Sequence, residues 1–307
     1  MIRAFGEPPD TRAAPDATES EGTRPGMSKD STPPPPAHHR SGHGHPVVLI
    51  HGLGGTWPIW RPVLRLIEEH CDVLAPTTAG HWGARWHGPV RSPMPEVMAD
   101  EVEAWMDLAG FRQAHVVGHS LGSWVALELT RRGRALSTTV LCPSVAWQHA
   151  RHRARLIAQL NTIFLAAHLT IPYAPFLMRW APVRQTVFRS VVERVDTLSA
   201  DDALEVLRGF VRADAYWPAM RGLVGSAGVR PVDGRAHDVH AAWALEDRMA
   251  PAAVYAKPLV DRVGVMTHSV IPRSGHLALW ENPHAVAELI LDRVGAVSRR
   301  PPPVRER

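Results

Sequence analysis

The chain has 307 residues, 45% of them hydrophobic and 21% charged, the balance of a soluble globular protein of one or two domains. Its two cysteines, Cys71 and Cys142, lack CxxC spacing, which excludes a disulfide scaffold or a cysteine-rich zinc module and fits a reducing compartment. The net charge of +4 is no nucleic-acid signature: much of it sits in a C-terminal run with Arg299, Arg300, Arg305 and Arg307, and no basic stripe with interleaved aromatics is present.

Residues 1–44 are rich in Pro, Ser, Asp and Glu and include Pro33-Pro34-Pro35-Pro36, so a disordered N-terminal tail is expected. Met1 to Asp10 holds no apolar signal core, which points to the cytoplasm. Val47-Val48-Leu49-Ile50 reads as a strand buried on both faces. A helix follows over Trp57 to His70, a strand over Asp72 to Ala75, and a helix over Pro95 to Ala109 that stops at Gly110. Ala114 to Val117 is the third strand, Leu121 to Arg132 a helix, and Ser137 to Leu141 the fourth strand. This alternation predicts a mostly parallel α/β sheet flanked by helices.

Between residues 144 and 227 the alternation gives way to helical patterns broken at Pro172, Pro175 and Pro182, with an N-cap at Ser199. Strands return at Val239 to Leu245 and Ser269 to Ile271, and a helix over Pro283 to Val297 closes the chain. The organisation expected is therefore a tail (1–44), a core in two parts (45–143 and 228–297), an inserted helical lid (144–227) and a basic C-terminal tail (298–307). Ile163 to Trp180 approaches the length of a membrane span but is interrupted by His168, Pro172, Pro175 and Arg179, so integral membrane association is not expected.

Gly118-His119-Ser120-Leu121-Gly122 sits where a buried strand turns into a helix, the context that G-x-S-x-G requires. Such a turn holds the Ser120 hydroxyl clear of the sheet and puts the Leu121 amide at a helix N-terminus, facing developing negative charge. A Cβ at position 118 or 122 would crowd the neighbouring backbone. His51-Gly52-Leu53-Gly54-Gly55 follows the first strand, where backbone amides can approach a ligand. No G-K-[ST] follows, which disfavours a phosphate loop. A serine hydroxyl needs a base and the base an orienting carboxylate. His276, in Ser274-Gly275-His276 after the last strand, and Asp247, just after the strand ending at Leu245, stand at the same sheet edge as Ser120.

With HGLGG, GHSLG, Leu245-Glu246-Asp247 and SGH in this order, the chain from about residue 46 to 297 resembles the α/β-hydrolase family with a lid. The resemblance implies Ser120 as nucleophile, His276 as general base and acid, Asp247 as the residue that orients His276, and the Leu53 and Leu121 amides as the oxyanion hole. Glu246 adjoins Asp247 and is the alternative acid. The strand pair that commonly precedes the HG loop is expected to be absent, leaving about six strands. Family members with an aspartate nucleophile, the dehalogenase and epoxide-hydrolase groups, do not match Ser120.

No cofactor or metal is called for, and the expected partner is a small hydrophobic ester of short or medium acyl chain. Gly54, Trp57, His119, Trp124 and Phe176 are candidates for its pocket, with Trp57, Trp82, Trp86 and Trp124 near its floor or mouth. The same residues could serve lactone, thioester or carbon–carbon bond hydrolysis, or perhydrolysis. Outside enzyme chemistry, the alternatives are a non-catalytic member that binds a small ligand, and peripheral membrane association through the Ile163–Trp180 surface.

Overall fold

A computed structural model describes residues 32–85, 94–232, 237–264 and 266–298. Among these, seven strands form one sheet: β1 (His38–Ser41), β2 (His45–Ile50), β3 (Cys71–Pro76), β4 (Ala114–His119), β5 (Ala135–Leu141), β6 (Val239–Ala244) and β7 (Thr267–Ile271). They lie in the order β1-β3-β2-β4-β5-β6-β7, all neighbours parallel except β1, which runs antiparallel to β3.

The strand pattern decides what each face packs against. Val47 and Leu49 of β2 join Val73 and Ala75 in a core shared with α1 (Arg61–Ile67) and α11 (Pro283–Ser298). Val48 and Ile50 point the other way, joining Leu74 and Val116 in a core with α2 (Met94–Leu108) and α3 (Leu121–Arg131). Period-2 alternation of side chains turns an unbroken apolar run into two core faces. Each such Val, Leu or Ile side chain contributes about 1.5–3 kcal/mol through burial.

The expectation of a structureless segment to residue 44 and about six strands is corrected by β1. His38-His39-Arg40-Ser41 alternates exposed and half-buried residues, as a polar edge strand does, so no apolar run announces it. Its pairing is held by the Arg40 guanidinium, bidentate on Asp72 at 2.8 and 3.1 Å, and by His39 stacked on Trp57 with ring centroids 4.6 Å apart. One strand thus stands where a pair was expected to be missing.

Between β5 and β6 the chain leaves the sheet for a helical insertion. Its helices are α4 (Ala150–Thr170), α5 (Ala174–Leu177), α6 (Ala181–Phe188), α7 (Ala200–Val211) and α8 (Tyr216–Gly225), with a 3-10 turn at Ile171–Tyr173. Ser199 caps α7 by accepting the Asp202 amide at 3.1 Å. A further helix, α9 (Ala252–Val263), was not anticipated, because Pro258 in its middle reads as a breaker. The short α10 (Ala278–Glu281) precedes α11.

Glu101 on α2 accepts the Ala79 amide beyond β3, and burial pushes its carboxyl up to about 7, against the lowering effect of that hydrogen bond. The folded state therefore binds a proton that the unfolded chain, with a carboxyl near 4.5, releases earlier. Stability from this group is present below pH 4.5 and is lost as the pH rises through about 7. Glu101→Gln keeps the acceptor and removes the charge, so it is expected to raise stability at pH 8 by about 1–3 kcal/mol and leave it nearly unchanged at pH 4.5. Denaturant unfolding at the two pH values reads this directly.

Candidate active site

The parallel strands end on one edge of the sheet, and the loops there carry the site. Ser120 stands between β4 and α3 with φ +53° and ψ −116°, a conformation L residues rarely adopt. The turn closes tightly: Ser120 N–H donates to the Leu141 carbonyl at 2.9 Å and Ser123 N–H to the Ser120 carbonyl at 3.0 Å. A Cβ on Gly118 would strike the Gly122 backbone, and one on Gly122 would strike the carbonyl oxygens of Ile50 and His51. These are backbone atoms that cannot swing aside. Gly122→Ala is therefore expected to cost about 2–3 kcal/mol, a clear loss in the thermal midpoint and in soluble yield.

Three side chains from three loops meet at this turn. His276 Nδ1 lies 2.8 Å from Asp247 Oδ2 and its Nε2 lies 2.9 Å from Ser120 Oγ. Burial alone would raise the Asp247 carboxyl, but the neighbouring His276 and the amides of Met249 and Ala250, both donating to Oδ1 at 2.8 Å, hold it below the usual carboxylate range. An ionised carboxylate only accepts, so the His276 proton sits on Nδ1. Its Nε2 is then left as the acceptor for the Ser120 hydroxyl.

The neighbouring acid does something else. Glu246 accepts the Ser274 amide at 2.8 Å, which braces the loop before His276. Glu281, buried on α10, accepts the amides of Gly275 at 2.8 Å and of Glu193 and Arg194 at 2.8 and 2.6 Å. Burial raises its carboxyl despite those bonds. It ties the His276 loop to the segment between α6 and α7 of the helical insertion. Sequence reasoning missed it, although its place five residues after His276 at a helix end was a signal.

His119 donates Nε2–H to the His276 carbonyl at 2.8 Å, and burial, with repulsion from the His276 ring whenever that ring is protonated, drives the His119 ring down to about 3. It therefore braces His276 as a neutral ring. His51 performs a similar task under the glycine loop: its Nδ1–H donates to the Gly52 carbonyl at 2.8 Å and its Nε2 accepts the Thr78 amide at 2.9 Å. Gly54, at φ +74°, passes so close to Phe210 of α7 that any Cβ would overlap the ring. His119, Cys142 and His276 place donor atoms within 4.8 Å of one another, but both His276 nitrogens are already committed and burial keeps the Cys142 thiol protonated.

Two cavities meet at Ser120. One of about 600 Å³ is walled by Gly54, His119, Leu160, Ile163, Phe188, Phe210 and other largely apolar groups. The other, of about 530 Å³, runs past Leu121, Trp124 and Leu156 toward Arg221 and Arg230. Leu53, Leu160 and Met249, with Ser120, border both. Of the pocket residues expected from sequence, Gly54 and His119 line the first cavity and Trp124 the second. Trp57 and Phe176 line neither: the Trp57 indole donates to the Pro36 carbonyl at 3.0 Å, and Phe176 is exposed on the outside of the insertion. Trp82 lies under the Arg212 guanidinium, and Trp86 lies outside the described residues.

A mostly parallel sheet with a serine on its strand–helix turn and a histidine and carboxylate at the same edge defines the α/β-hydrolase architecture. The chain belongs to that family: the model for "Alpha/beta hydrolase family" matches residues 47–289. Epoxide hydrolase EphH of Mycobacterium tuberculosis (strain ATCC 25618 / H37Rv) is 30% identical over 205 residues, 63% of this chain and 92% of that protein. A thermophilic esterase from Thermogutta terrifontis superposes with a TM-score of 0.65 at 17% identity, covering 85% of this chain and 93% of the other. The 2-hydroxy-6-oxo-6-phenylhexa-2,4-dienoate hydrolase of Rhodococcus sp. strain RHA1 superposes with a TM-score of 0.64 at 19% identity, covering 84% and 94%. The relatives place this chain among hydrolases.

Proposed function

We propose that the protein is a serine hydrolase that cleaves carboxylic esters with a hydrophobic acyl group. The observation that carries this reading is the hydrogen-bonded line Ser120–His276–Asp247 at a strained turn opening on two cavities. Ser120 Oγ attacks the ester carbonyl while its proton passes to His276 Nε2. Asp247 stabilises the imidazolium that forms, without taking its proton. The amides of Leu53 and Leu121 face the tetrahedral oxyanion, each typically contributing about 3 kcal/mol of barrier lowering. Collapse expels the alcohol, protonated by His276, and leaves an acyl-serine. Water, deprotonated by His276, then attacks that acyl group and frees the acid.

Two cavities on either side of one nucleophile suit the two halves of an ester. The first fits the acyl chain; the other, ending in Arg221 and Arg230, fits the leaving group. The epoxide hydrolase among the relatives raises a competing reaction, which the chemistry of Ser120 disfavours. An alkoxide that opened an epoxide would form an alkyl ether, with no carbonyl for water to attack, and the site would stall after one event. The insertion, on this reading, is a lid over the acyl pocket.

The test is turnover of p-nitrophenyl esters from acetate to palmitate, beside styrene oxide. Ester cleavage with a chain-length optimum supports the reading, whereas diol formation from the epoxide without ester cleavage overturns it. Labelling of Ser120 by a fluorophosphonate without ester turnover would move the reaction to a lactone, thioester or carbon–carbon bond. Neither labelling nor turnover would leave a ligand-binding member of the fold.

A further inference from the structure

From residue 144 to 192 the chain has six arginines and not one aspartate or glutamate. Within this stretch, Ala150–Leu177 is long and apolar enough to cross a membrane by length and composition, and little of it is buried. Its buried face is accounted for: Leu156, Leu160 and Ala167 pack inward, and Leu160 and Ala167 wall the first cavity. The opposite face is not. Leu165, Leu169, Tyr173, Phe176 and Trp180 are 60–67% exposed, at spacings of four, four, three and four residues. That spacing puts all five on one side of the helical run.

The same face continues toward the start of α4 through exposed Arg155 and Arg151, at helical spacing from Leu165, and Arg179 stands beside Trp180. None of these three arginines has a carboxylate partner among the described residues. Exposed Leu and Phe, a Trp and a Tyr with polar tips, and unpaired cations are the composition of a segment that lies in the plane of a bilayer interface. Spanning is a different matter. It would strip the inward face from the cavity wall and carry Arg151, Arg153 and Arg155 along with it.

We propose that the outer face of α4 and α5 docks the protein peripherally on a lipid surface bearing anionic headgroups. A second copy of the chain fits the face less well, since no acid between residues 144 and 192 is available to meet the arginines. The proposal stands whether or not Ser120 is the nucleophile, because none of the docking side chains borders the cavities.

The experiment is co-sedimentation of the full chain with vesicles of phosphatidylcholine containing phosphatidylglycerol, and with phosphatidylcholine alone. Binding is expected to the anionic vesicles at low salt, to weaken in 0.5 M salt, and to fall by about tenfold or more in Leu169→Asp/Trp180→Asp and in Arg151→Glu/Arg155→Glu. Both pairs are exposed, and an unchanged thermal midpoint shows that each variant is folded. No binding to anionic vesicles at low salt overturns the proposal. So does binding that folded variants retain, or a concentration-dependent dimer in sedimentation velocity that the same substitutions dissolve.

Discussion

Ser120→Ala is expected to lower kcat/KM for p-nitrophenyl esters by about three to six orders of magnitude and to abolish fluorophosphonate labelling. The size follows from what the substitution leaves behind. On the proposed mechanism alanine removes the group that carries the acyl chain, while the Leu53 and Leu121 amides and both cavities stay in place. The remaining rate is that of water attacking an ester held by those amides. Folding is expected to be unaffected, because among the described residues Ser120 Oγ bonds only to His276 and the turn is fixed by backbone hydrogen bonds to Leu141 and from Ser123. Parallel rates and melting curves of the two proteins check both halves, and a variant that keeps its ester rate would remove Ser120 from the mechanism.

Asp247→Asn is expected to lower kcat by about four orders of magnitude with the fold intact. The two oxygens of Asp247 do different things. Oδ1 accepts the Met249 and Ala250 amides, and an asparagine carbonyl can keep both bonds. Oδ2 accepts the His276 proton, and an asparagine NH2 in its place donates instead. The His276 proton is then driven to Nε2, where no lone pair remains for the Ser120 hydroxyl. Because Asp247 is held below the usual carboxylate range, the wild-type activity should not respond to its titration at pH 5 and above. Glu246→Gln is the control: it retains an acceptor for the Ser274 amide and is expected to leave most of the rate. Equal losses in the two variants would return the choice of acid to Glu246.

The elements that chemistry or burial dictates were legible in the sequence. Strands buried on both faces appear as apolar runs, and a serine turn packed against two backbones can hold only glycine at positions 118 and 122. The meeting of Ser120, Asp247 and His276 follows once each is placed after its own strand. What was not legible depends on which side of an element faces what. β1 is polar because it is an edge, so its residues look like the tail before them. Phe176 and Leu160 are equally apolar, and spacing puts them on different sides of the helical run without saying which side meets the cavity. The second cavity is bounded by residues from seven separate stretches of chain, which no local pattern joins. Glu281 works through three backbone amides, two of them in the helical insertion, a role that only tertiary structure brings about.

The pairing of β1 with β3 has a consequence for how the chain can be shortened. Cys71 to Pro76 is an almost wholly buried, apolar strand, and four residues of β1 cover its outer hydrogen-bonding edge. A protein started at residue 45, where composition suggests trimming, would present that edge bare. A bare, flat, apolar edge recruits any other extended chain it meets. Such a trimmed protein could keep Ser120, Asp247 and His276 and still be lost to intermolecular strand addition. The four polar residues of β1 thus guard the chain's colloidal behaviour.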